Sequence, residues 1–241
     1  MDTPSEYAVL SKASYDFYYG HHKEARAELD AYGFENYRID EDHSDGNSIT
    51  IVRPDTSAVI SYRGTDFTSA SDLLADWQIL VGLHSNPFME PLNPSNRFEE
   101  ASQKYERVKE KYPNVSLTGH SLGGAQALHV ARRHSADSYT FNPGASPFAE
   151  PFTLLTSDRP QTVFTTGDDF ISYASYLSKD HIITVPRKDK MQYYSHSLVN
   201  FLPPRVSHKK PPDYLDSIHK ETYERINMCD LFPELCPRKR S

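Results

Sequence analysis

The sequence predicts an α/β fold: a central, mostly parallel sheet with helices on both faces. Three observations carry this. Helical and β-rich runs alternate from residue 58 to residue 200. The run over 57–63 (SAVISYR) is apolar on both sides at Val59 and Ile60, as a strand covered on both faces must be. An apolar run at Val115 to Leu117 leads through Gly119-His120-Ser121-Leu122-Gly123 into an alanine-rich helical pattern, the outline of a sharp strand-to-helix turn. A chain of 241 residues, 37% hydrophobic and 24% charged, suits one globular domain over 1–241 with a full core.

Taken in order, residues 5–19 place Tyr7, Leu10, Ser14 and Phe17 at helical spacing, and 23–32 form a second helix ended by Gly33. Asp45-Gly46-Asn47 is a turn. The runs 48–53 and 57–63, separated by Pro54-Asp55-Thr56, make a hairpin. Residues 71–81 read as a helix with Leu73, Leu74, Trp77 and Leu80 on one side, and 86–94 as a proline-rich loop. Residues 96–112 give the cleanest amphipathic pattern (Phe98, Ala101, Tyr105, Val108, Tyr112), stopped by Pro113. Strand 115–118 and helix 122–134 follow. Further strands are expected at 139–141, 161–166 and 182–185, then a helix at 195–202 and a last amphipathic helix at 213–228, within a C-terminal helix and tail over 205–241.

Composition excludes several classes. A net charge of −7, with scattered lysines and arginines, argues against nucleic acid as a partner. The first twenty residues carry Asp2, Glu6 and Asp16 and lack a basic start with an apolar run, so no signal peptide is expected. No run approaches the roughly 20 apolar residues of a transmembrane helix. The expected location is therefore cytoplasmic. Cys229 and Cys236 would form one tail disulfide in an oxidising compartment but read as free thiols by default, and neither has metal-ligand spacing. No metal and no cofactor are expected.

The chemistry centres on Ser121. Gly-x-Ser-x-Gly between a strand and a helix is the context of a nucleophile elbow: small residues flank a serine held at a strained turn, at a helix N-terminus. The bland alternative is a glycine-rich loop whose serine caps the helix. A serine hydroxyl needs a base within reach, and the base needs an acid to hold its tautomer. With chain order Ser, then acid, then His, the loop after strand 161–166 offers Asp168 and Asp169. Asp158 and Asp180 precede strands and fall at the opposite sheet edge. His196 follows strand 182–185 and is the expected base. His181 starts a strand, His208 and His219 lie in the tail region, His129 and His134 read as surface helix residues, and the side chain of His120 points away from its neighbour Ser121. An oxyanion needs donors: the N–H of Leu122, and a second from Arg63-Gly64-Thr65-Asp66, where Thr65 offers N–H and hydroxyl.

Together, Tyr62-Arg63-Gly64-Thr65, Asp76-Trp77, Gly119-His120-Ser121-Leu122-Gly123-Gly124-Ala125, Thr140-Phe141-Asn142-Pro143-Gly144 and Asp169-Phe170-Ile171-Ser172 resemble the class 3 lipases, α/β-hydrolases related to fungal triacylglycerol lipases. The resemblance runs from about 57 to 200. It implies an α/β-hydrolase fold, Ser121 as nucleophile, Asp169 as the triad acid (Asp168 does not fit the frame), His196 as base, and Thr65 with Leu122 as oxyanion hole. It also implies a lid over 67–82, carrying Leu73, Leu74, Trp77 and Leu80, where the bland alternative is that Trp77 and its neighbours are core, and a lipid ester substrate met in transient contact with a lipid–water interface. Three departures accompany it: Asp169 and His196 are only 27 positions apart, Tyr62 stands in place of the family's Phe, and Asn142-Pro143 in place of Gly-x-Pro. The expected function is a serine lipase or esterase on acylglycerol-type esters. The alternatives are a phospholipase or thioesterase of the same fold, or a non-catalytic lipid-binding protein on a hydrolase scaffold.

Overall fold

The structure, a computed structural model, describes residues 3–18, 22–64, 94–144, 159–167, 169, 179–188 and 196–206. The expected lid, the last amphipathic helix and both cysteines lie outside the described residues.

Seven strands form one sheet whose spatial order is the chain order: β1 (Arg38–Asp40), β2 (Ser48–Val52), β3 (Ala58–Tyr62), β4 (Val115–Ser121), β5 (Asp137–Pro143), β6 (Thr162–Thr166) and β7 (His181–Val185). The first three pair antiparallel. From β3 to β7 every pairing is parallel, with Tyr62 opposite Gly119 and Phe141 opposite Phe164. The expected hairpin and parallel sheet are thus both present, in an α/β-hydrolase arrangement. β1 was not expected. It is a three-residue edge strand (RID) with too few residues to show an alternation.

Helices cover both faces. On one side lie α1 (Thr3–Tyr18) and α2 (His22–Ala31), with Leu10, Leu29, Ile49, Ile51, Val59, Phe141 and Phe164 in a shared core. On the other lie α3 (Pro94–Lys111) and α4 (Leu122–His134), over Val52, Ala58, Ile60, Tyr62, Val115 and Leu117. His129 and His134 are not surface residues, as the sequence suggested. Both are half-buried, their rings packing on Phe98 and Tyr105 of α3. The expected helix at 195–202 is reduced, over 196–202, to a 3-10 turn (Leu198–Asn200) that Ser197 caps by accepting from the Val199 N–H. No helix among the described residues is long and apolar enough to cross a membrane.

α1 is buried from Tyr7 to Phe17, and its seat on β4 is polar. Tyr7 donates to Ser116 (2.7 Å), Ser11 pairs with Thr118 (2.9 Å), and the Tyr15 hydroxyl meets His120 Nδ1 (3.0 Å). The spacing explains the ladder. Four residues of helix rise about 6 Å and two residues of strand about 6.6 Å, so residues 7, 11 and 15 keep step with 116, 118 and 120. Strand alternation sends Val115 and Leu117 to the opposite core.

A buried ionic cluster fastens α1 to α2 and to residue 205. Lys12 Nζ lies 3.0 Å from Glu28 and 3.5 Å from Asp16, and Arg205 lies 3.3 Å from Glu28. Burial pushes the Asp16 carboxyl up to about 6, against the pull of Lys12 and with the push of Glu28.

Candidate active site

β4 ends at Ser121 and α4 begins at Leu122, so the serine occupies the junction itself. Its backbone sits at φ 55° and ψ −127°, a conformation that costs an L-residue energy and is held by the surroundings. The pairing of β4 with β5 shifts register between His120 and Ser121, and Ser121 O accepts from the Gly144 N–H at 2.9 Å. The flanking glycines are required by space. A Cβ on Gly123 would overlap the Tyr62 carbonyl, and one on Gly119 would overlap the Gly123 backbone. The first turn of α4 therefore lies directly against the end of β3. Leu122 is the first residue of that turn, where helix N–H groups lack intrahelical partners.

Gly64 closes the third side. A Cβ there would overlap the Tyr15 hydroxyl, fall 2.6 Å from His120 O and lie 3.2 Å from Ser121 Cβ. The end of β3 thus runs against the Ser121 turn. Arg63, buried beside it, donates from Nε to the Gly46 carbonyl at 3.0 Å and ties this loop to the turn before β2. Thr65 follows immediately. It lies outside the described residues, as do Asp168, Leu73, Leu74, Trp77 and Leu80.

The loop after β6 carries Asp169, whose N–H donates to Thr166 O at 3.0 Å. The Asn142 side chain, buried at the end of β5 with φ 39°, accepts from the Thr166 N–H at 3.0 Å. Asn142 thus bridges the ends of the adjacent strands β5 and β6; the sequence marked it only as a turn residue. Asp169 Oδ2 accepts from His196 Nδ1 at 2.9 Å, and both residues are buried, at 4% and 8% exposure. A carboxylate only accepts, so Nδ1 carries the hydrogen and the neutral ring presents its basic lone pair at Nε2.

His120 does not point idly away. Its Nε2 donates to the His196 carbonyl at 2.6 Å, and the two rings lie 4.9 Å apart. The residue before Ser121 therefore grips the backbone of His196. Neither Tyr15 nor His120 stood out from the sequence as a site residue. The available signal was the match of Tyr7, Ser11 and Tyr15 on one helix face to the alternate polar residues of β4.

Of the excluded candidates, His181 and Asp180 fall where strand polarity put them, while Asp158, His208 and His219 lie outside the described residues. His181 opens β7 and is exposed. Asp180, just before it, pairs with Arg132 of α4 and accepts from the Gln161 N–H, a structural role at the far edge.

A family model described as Lipase (class 3) matches residues 59–171, from inside β3 to just past Asp169. No curated protein matches the chain. The match supports a lipase-type carboxylic ester hydrolase. It spans β3 to β6, including the Ser121 turn and Asp169. Over residues 59–171, this chain is similar to the class 3 lipase family.

Proposed function

We propose that the chain hydrolyses acylglycerol-type lipid esters through an acyl-enzyme on Ser121. His196 Nε2 takes the hydroxyl proton as Ser121 Oγ attacks the ester carbonyl. The N–H of Leu122, with Thr65 as partner, stabilises the oxyanion. Collapse breaks the ester C–O bond, and the proton passes from His196 to the departing alcohol. Water then attacks the acyl-enzyme, giving its proton to His196, and the returning proton releases Ser121. Asp169 holds His196 in the required tautomer throughout. One observation carries the reading: a buried Asp169–His196 pair whose histidine carbonyl is bonded to the residue preceding a strained Ser121, which sits at the N-terminus of α4 without a side-chain capping bond. The lid role for 67–82, with Leu73, Leu74, Trp77 and Leu80 facing substrate, rests on sequence alone.

The test is hydrolysis of nitrophenyl butyrate and of emulsified acylglycerols, with fluorophosphonate labelling as an independent readout. Ser121→Ala abolishes labelling, and Asp169→Asn lowers kcat by about 10⁴-fold through loss of the tautomer. Full hydrolysis by Ser121→Ala would overturn the mechanism. A wild type that is neither labelled nor active would favour a non-catalytic lipid-binding role. Faster turnover of phospholipid or thioester than of acylglycerol would change the substrate class.

A further inference from the structure

We infer that His120 and Tyr15 form a positioning relay that fixes the main chain of His196 beside the nucleophile. This inference rests on the assignment of His196 as base. A catalytic base must be held within about 0.5 Å of its productive place. The bond to Asp169 fixes one ring atom of His196 and leaves the ring able to swing about that contact. The bond from His120 Nε2 to the His196 carbonyl supplies a second point, on the backbone of the same residue.

The hydrogen-bond chemistry sets the direction of the relay. A carbonyl only accepts, so His120 carries its hydrogen on Nε2. In the neutral ring Nδ1 then accepts, and the Tyr15 hydroxyl donates to it at 3.0 Å. The order is Tyr15 hydroxyl to His120 to His196 carbonyl, and separately His196 Nδ1 to Asp169. Both nitrogens of His120 are committed, which rules it out as the base for Ser121 despite its adjacency. Its burial, at 3% exposure, strengthens each bond in the chain.

Tyr15 contributes a second contact. Its hydroxyl occupies the space a Cβ on Gly64 would need, so the pair that clamps His196 also borders the loop leading to Thr65. Three parts of the site, the serine turn, the histidine loop and the end of β3, meet this one pair. Both residues are the last rung of the ladder that seats α1 on β4, so the helix reaches the chemistry without supplying a reacting group.

The experiment uses the full chain and the variants His120→Phe, His120→Gln and Tyr15→Phe. Active sites are titrated with fluorophosphonate, and kcat and KM on nitrophenyl butyrate are expressed per titrated site. His120→Phe keeps the ring volume but loses both bonds. It lowers kcat per site by about 10- to 100-fold with KM held within about twofold, the signature of a misplaced base. His120→Gln, whose side-chain amide donates at similar reach, recovers about tenfold of that loss. Tyr15→Phe lowers kcat by about threefold, and adding it to His120→Phe costs nothing more, because the two act in series. A purely structural role lowers the number of titrated sites and leaves kcat per site at the wild-type value, and that result would overturn the relay. If His120→Phe fails to fold, Tyr15→Phe and His120→Gln decide by the same measure. Labelling of the wild type at Ser121 with unchanged rates in all three variants sinks the relay alone; absence of wild-type labelling sinks the triad assignment and the relay with it.

Discussion

On one side of β4, Val115 and Leu117 join an apolar core with α3 and α4; on the other, Ser116, Thr118 and His120 meet α1 through hydroxyls and an imidazole. The two sides do different work. Apolar burial is strong but non-directional, so by itself it does not fix where along a strand a helix sits. Hydrogen bonds contribute only about 1 kcal/mol each on balance, but they are directional and costly to leave unmade. A slip of α1 by one turn would break all three rungs at once. The apolar face supplies stability, and the polar face supplies register, at the strand that delivers Ser121.

The largest expected effect tests the apolar side. Ile60→Ala, at a fully buried position, costs about 3 kcal/mol in urea-induced unfolding, with kcat close to wild type. A loss of turnover per folded molecule would break the division between the faces. Next comes Asp16→Asn on the α1 side. Burial has raised this carboxyl to about 6, above its unfolded value near 4, so the native state binds more protons between those pH values and stability falls as pH rises through them. The variant removes that penalty. It is expected to be more stable than wild type by about 2 kcal/mol at pH 7, with the difference fading towards pH 4. Equal stability at both pH values would mean that Lys12 fully compensates the charge. The smallest effect is that of Ser11→Ala, the middle rung, at about 1 kcal/mol in the same unfolding measurement. A cost of several kcal/mol there would make the ladder a source of stability as well as of register.

The contrast also explains what could be read from the chain. The parallel sheet, the elbow and helix 122–134 follow from periodicity and from glycine placement, which are local properties. The expected order of acid before base rests on strand polarity, and Asp169 and His196 are hydrogen-bonded to each other. The ladder was not legible, because it matches helix spacing to strand spacing between elements that periodicity treats separately. In β4 the apolar residues announced a strand, while Ser116 and Thr118 passed as ordinary polar interruptions. The helix expected at 195–202 has a physical reason for its shortness: Ser197 spends its hydroxyl on the Val199 N–H and closes a tight 3-10 turn. Asn142 was flagged by its turn chemistry, but its bond to Thr166 joins neighbouring strands and is invisible to a local reading.

The rungs between α1 and β4 join residues 105 to 109 positions apart, and the His120 clamp reaches a further 76. On a ribosome adding roughly 5–20 residues per second, α1 emerges some 5–20 seconds before the strand it seats upon. In that interval its available companion is α2, already close in sequence and linked by Lys12 and Glu28. In order of synthesis, the parts of a helical pair are available first, those of a seated strand second and those of the complete site last. An interruption of synthesis anywhere before residue 196 leaves the Ser121 turn without the residue proposed as its base, so on that proposal hydrolytic capacity arrives late.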